Sequence, residues 1–159
     1  MFDKPQHEHH WFDKLLGKWN CESTCWMGPD QAPMTNRGTA EVRSLGGLWV
    51  LVEGQGEPME GETWSSIMTL GYDPKSKRYT GTFIGSMMTH LWVYDGALDA
   101  SGRTLVLDTE GPKHESPGMA RYQDIIEIVD DNHWILKSQI LTDDGRWKPI
   151  MEGHHRRSG

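Results

Sequence analysis

The sequence predicts an all-β protein: an antiparallel up-and-down β-barrel of about ten strands with one short N-terminal helix. Three observations predict it. From Lys18 onward the chain alternates, with Lys18, Asn20, Glu22 and Thr24 polar and Trp19, Cys21, Ser23 and Cys25 forming the other face. That period of two belongs to a strand with one wet and one buried face. Segments of this kind recur down the chain at regular spacing, with turn residues between neighbours. Finally, a single stretch, Glu8 to Leu16, carries helical periodicity.

In that stretch Trp11, Phe12, Leu15 and Leu16 make an i, i+1, i+4, i+5 stripe, the pattern of an amphipathic helix. Met1 to His7 precede it and are expected to be flexible. Gly17 lets the chain turn sharply into the first strand. The Gly28-Pro29-Asp30 loop leads to a strand at about Thr35 to Leu45. Gly46-Gly47 then turns into Leu48 to Glu53, apolar on both faces. Trp64 to Tyr72 and Tyr79 to Ile84 flank Asp73-Pro74-Lys75-Ser76-Lys77, with Pro where a turn favours its fixed φ. His90 to Tyr94 and Thr104 to Thr109 follow, then a Pro/Gly-rich loop from Gly111 to Gly118. Ala120 to Val129 and His133 to Leu141 form a hairpin over Asp130-Asp131-Asn132, and Trp147 to Arg157 is the last strand. No repeat or linker interrupts residues 1–159, which read as one domain.

Composition excludes several function classes. The net charge of −7 lacks the basic face a nucleic-acid binder requires. No apolar run approaches the ~20 residues of a membrane span, and the acidic, His-rich start is no signal peptide. The expected compartment is the cytoplasm. Cys21 and Cys25 lie four apart on one strand face, about 13 Å at ~3.3 Å per residue, too far for a disulfide. Eight Trp and nine Met supply bulky, adaptable side chains for lining a cavity.

The Gly17-Lys18-Trp19 opening after a short helix, with a basic residue near the end of the last strand, resembles calycins: lipocalins, fatty-acid-binding proteins and nitrobindins. A closer likeness is to a bacterial group, domain-of-unknown-function family 1579. His9, Phe12, Leu15, Gly17 and Trp19 match its opening, and Gly38-Thr39-Ala40-Glu41 and Leu45-Gly46-Gly47-Leu48-Trp49 continue it. Leu70-Gly71-Tyr72-Asp73, Lys77-Arg78-Tyr79 and Asp144-Gly145-Arg146-Trp147 carry it on. At the end Met151, Glu152 and Arg157 match, while His155 stands where the family commonly has Tyr. The resemblance implies a calycin barrel and no established activity.

Alternation places Tyr122, Asp124, Ile126 and Ile128 inward, together with Trp147, Met151, His155 and Arg157. Tyr122, Asp124, Met151, His155 and Arg157 are therefore the candidate ligand-binding residues, in a barrel wide enough to leave a cavity. Gly17, Trp19 and Arg157 are the candidate closure, with the guanidinium stacked on the indole. No metal is expected: His7, Glu8, His9 and His10 cluster at one end and His154-His155 at the other, without a closed ligand set. His9 is assigned a helix-start, surface role. No cofactor is expected, haem through His155 being the alternative that the nitrobindin likeness raises.

Three functions remain. The leading one is binding of a small apolar or amphipathic molecule in the barrel. The second is an isomerase or hydrolase using the same cavity, with Asp124 and His155 as an acid–base pair. The third is a homodimeric interaction protein with a filled barrel. Binding is favoured over catalysis because no nucleophile motif, phosphate loop or dinucleotide fingerprint is present. Far-UV circular dichroism is expected to be β-dominated, with helix confined to one short segment. A helix content near the ~30–35% globular average would overturn the fold.

Overall fold

In a computed structural model, ten antiparallel strands close into one barrel, in the order β1-β10-β9-β8-β7-β6-β5-β4-β3-β2. The structure describes every residue except 27, 29, 59, 115 and 159. Pro29 of the expected Gly28-Pro29-Asp30 loop, and position 115 of the Gly111–Gly118 loop, therefore lie outside the described residues. The strands are β1 (Gly17–Cys25), β2 (Met34–Leu45), β3 (Trp49–Gly56), β4 (Ser65–Asp73) and β5 (Arg78–Gly85). They continue as β6 (Trp92–Leu98), β7 (Thr104–Pro112), β8 (Met119–Asp130), β9 (His133–Leu141) and β10 (Trp147–Arg157).

The N-terminal segment differs from its expected form. It is a 3-10 helix, His7–Leu15. At three residues per turn, positions i and i+3 eclipse, so the buried row is His9, Phe12 and Leu15, and not the expected α-helical stripe. His9 is thus a buried anchor and not a surface residue, at 5% exposure. Its Nδ1 accepts from the Gln6 N–H at 2.9 Å and its Nε2 lies 3.1 Å from the Tyr72 carbonyl, which assigns the proton to Nε2. With Tyr79 donating to the Glu8 carbonyl and Trp11 to that of Gly102, the helix is fastened across one end of the barrel.

One strand runs on past its expected limit, and another departs from regular alternation. Gly111 and Pro112, expected in a loop, belong to β7. The ring of Trp92 lies where a Gly111 Cβ would be, 2.0 Å from that position, so only glycine lets the strand run on past it. In β10 a bulge between Pro149 and Met151 shifts the register. Alternation therefore fails upstream of it: Trp147, expected inward, pairs with Leu141 and is exposed on the outer face.

Closure rests on β1 and β10, which pair from Trp19↔Arg157 to Cys25↔Met151. Arg157 Cζ sits 4.2 Å from the Trp19 ring centroid. The guanidinium also donates to the carbonyls of Leu16 (2.8 Å), Asp131 (2.7 and 3.1 Å) and Lys14 (3.3 Å). Gly17 is required here for two reasons. Its φ of +121° is one that side-chain-bearing residues rarely adopt, and a Cβ would stand 2.6 Å from Arg157 Nη1.

The interior contacts continue as a column. Trp19 meets Trp134 edge-to-face at 6.1 Å, and Trp134 lies flat on His155 at 3.7 Å. Trp19 Nε1–H donates to the Leu15 carbonyl at 2.8 Å, which joins the column to the helix. Urea unfolding should register a loss of about 3–5 kcal/mol for Trp19→Ala, through the cavity left behind. Arg157→Lys should cost about 1–2 kcal/mol, because an ammonium neither stacks nor forks. The double mutant should lose less than the sum. Strictly additive losses would mean that the stacked pair contributes nothing to closure.

Candidate functional site

Inward residues are fully buried in one half of the barrel and less completely buried along part of the other. Toward the helix, inward Trp19, Leu70, Leu105, Leu107, Ile126 and Trp134 are all 0 or 1% exposed. Toward the opposite end, Cys21, Ser23 and Cys25 on β1, Met151 on β10, Leu136 and Ser138 on β9 and Asp124 on β8 face inward but keep accessible surface. Beside Asp124 the same wall is closed by aromatics. Trp92 meets Tyr122 edge-on at 4.9 Å, and Tyr122 donates to the Pro112 carbonyl at 2.6 Å. The open wall is rich in small side chains because β1 contributes Cys, Ser and Cys at successive inward positions, opposite Gly153.

The polar centre of this wall is Asp124. Tyr94 Oη donates to one carboxylate oxygen in a short bond, and Ser138 Oγ donates to the other at 2.6 Å. Ser138 is directly opposite Asp124 across β8–β9, and Met151 continues the row. Burial pushes the Asp124 carboxyl above the ordinary range, against the two hydroxyl donors that favour its ionised form. Burial and the neighbouring carboxylate push the Tyr94 phenol well up. Sequence reading missed Tyr94 and Ser138. Their inward parity was legible, but their meeting at Asp124 depends on pairings across three strands.

His155 lies deeper. It is 6% exposed, its Nδ1 has no hydrogen-bond partner, and burial drives its imidazole down to about 4. Trp134 Nε1 and Thr109 Oγ1 are likewise buried and unpaired. The expected Asp124–His155 pair is not brought together. His155 belongs to the row of Trp134 and Ile128, four residues along β8 from Asp124, or about 13 Å at ~3.3 Å per residue. Cys21 lies opposite His155, with Ser23 Oγ 3.4 Å from its sulfur. Burial raises its thiol pKa, which keeps it from acting as a thiolate. A haem at His155 would have to displace packed protein, since the residue is 6% exposed and its ring lies flat on Trp134.

Arg157 is placed in the closure, and Tyr122 in the aromatic wall. Among the described residues no group of three or more His, Cys, Asp or Glu is arranged to hold a metal ion. No helix among them is long and apolar enough to cross a membrane. Outer concavities include one of about 480 Å³ beside Asp130, Asn132, His133, Arg156 and Arg157, and one of about 290 Å³ beside Glu22, Arg37 and Glu57. Neither touches Asp124. Ile67, Ile84 and Val93 form an exposed apolar strip on the outside of β4 to β6.

The chain matches the family model described as Protein of unknown function (DUF1579) over residues 4–157, and it belongs to that family. No curated relative matches the sequence. Among solved structures, Rv2717c from M. tuberculosis is similar at 10% identity and a TM-score of 0.63, covering 98% of this chain and 100% of that one. The S-type phycobiliprotein lyase CPES from Guillardia theta is similar at 13% identity and a TM-score of 0.62, covering 97% and 94%. A de novo designed fluorescence-activating β-barrel is similar at 13% identity and a TM-score of 0.50, covering 92% and 95%. At these identities the likeness is one of fold.

The low imidazole pKa has a thermodynamic consequence. A histidine of about 4 in the folded chain and ~6.5 unfolded contributes stability that is full above pH 6.5 and is lost as pH falls toward 4. The loss amounts to about 3 kcal/mol. His155→Phe keeps the stack on Trp134 and should flatten the stability profile across that window. An acid-side slope unchanged in His155→Phe would show that another group is responsible.

Proposed function

We propose that this member of the family binds a small apolar or amphipathic molecule in the open half of its barrel. The observation that carries the reading is the asymmetry of the interior. One half is filled by the Trp19–Trp134–His155 column, while Cys21, Ser23, Ser138, Met151 and Asp124 line a wall that retains accessible surface in the other. A mostly apolar cavity with a few convergent polar groups is the common form of a ligand site. In this reading Asp124 and Met151 contact the ligand, Tyr122 flanks Asp124 on β8, His155 forms the floor, and Arg157 acts through closure alone. Neighbours of the same fold include one named as a phycobiliprotein lyase and one designed to activate fluorescence, which supports the reading by analogy. Binding is preferred to catalysis because Asp124 and His155 occupy different rows and Cys21 is not activated.

Nile Red, a neutral apolar dye, tests the proposal. Its fluorescence should rise saturably to about one dye per chain. Ser23→Phe, which fills the wall opposite Gly153, should weaken uptake at least tenfold while the circular dichroism is unchanged. Absence of saturable uptake, or full uptake by Ser23→Phe, would overturn it.

A further inference from the structure

We propose that the ligand carries a cationic nitrogen, an organic ammonium on an apolar skeleton, and that Asp124 is its counter-charge. This rests on the reading that the barrel interior binds a ligand.

Strand register sorts the described residues into inner and outer faces. Between the Trp19 row and the rim position of Lys148, Asp124 is the one inward strand residue among them with a formal charge. Lys148, opposite Ile140, stands at the rim and is exposed. The other inward cation, Arg157, is held at the closed end by Trp19 and three backbone carbonyls. Among the described residues no Lys, Arg or His forms an ion pair with Asp124, whose partners are the hydroxyls of Tyr94 and Ser138.

A carboxylate removed from water is costly unless it is paired. Two hydroxyl donors satisfy one lone pair on each oxygen and leave the others open. Tyr94 and Ser138 also fix the carboxyl plane, so the group is oriented before anything binds. Tyr122, two residues along β8 on the same inward face, and Trp92 give Asp124 an apolar aromatic flank that tolerates an apolar body. An anionic ligand would meet the carboxylate with no cation to offset it. A neutral one would leave the carboxylate as it stands.

The test uses one naphthalene skeleton with three heads: 1-naphthylmethylamine, 1-naphthalenemethanol and 1-naphthoic acid. Calorimetric titration of the full chain at pH 8 should give tightest binding for the amine, at least tenfold better than the alcohol, with the acid weakest. Asp124→Asn should erase the amine preference, the amine and the alcohol then binding within about threefold of each other. Ser138→Lys places an internal cation beside Asp124 and should erase the same preference if Asp124→Asn does not fold. Alcohol and amine binding equally to the unaltered protein would overturn the cationic assignment and leave the binding site standing. A preference that survives both substitutions would do the same. Binding of none of the three, together with no Nile Red uptake, would overturn the binding site itself.

Discussion

The guanidinium of Arg157 is the joint on which the barrel depends. It covers the Trp19 indole and spans three backbone carbonyls, those of Lys14 and Leu16 at the helix end and of Asp131 in the β8–β9 turn. One side chain on the last strand thereby ties together the helix exit, the first strand and a distant turn. Charge-assisted bonds to carbonyls are worth more than neutral ones. The flat group also stacks while it donates, which lysine cannot do. Gly17 is the complement of this group, its missing side chain being the space Nη1 occupies. The Gly-x-Trp opening is therefore half of a contact whose other half lies 140 residues on, between Gly17 and Arg157.

From that joint the interior divides. Stacked rings continue inward from Trp19 through Trp134 to His155, and beyond them β1, β9 and β10 contribute the small residues Ser23, Ser138 and Gly153. The division gives the chain a tightly packed half and a half whose inward residues are less completely buried. Asp124 stands on the boundary, held by hydroxyls from β6 and β9.

Much of the fold was legible because alternation is a local signal. Inward Tyr122, Asp124, Ile126 and Ile128 follow from parity within one strand, and the order of strands follows from short turns. What was hidden depends on departures from regular period. The 3-10 helix replaces a 3.6-residue stripe with a three-residue one and draws His9 inward, where an α-helical reading leaves it at the surface. The bulge at Pro149 to Met151 reverses the facing of Trp147, and a proline inside a strand run was the available sign of it. Tyr94 and Ser138 were hidden for another reason: no local pattern tells which strand a hydroxyl will reach across a lumen.

A barrel closed by its first and last strands also fixes an order of assembly. Leu16 and Arg157, bonded through Nη1, are separated by 141 positions. During synthesis at about 5–20 residues per second, β1 waits roughly 7–25 s for its partner. For that interval the growing sheet has a raw edge at β1 and another at whichever strand has most recently emerged, each a template for pairing with a second chain. Non-local closure of this kind is slow even for a complete chain. The period of greatest hazard for this protein is therefore its own translation, and the arrival of Arg157 ends it.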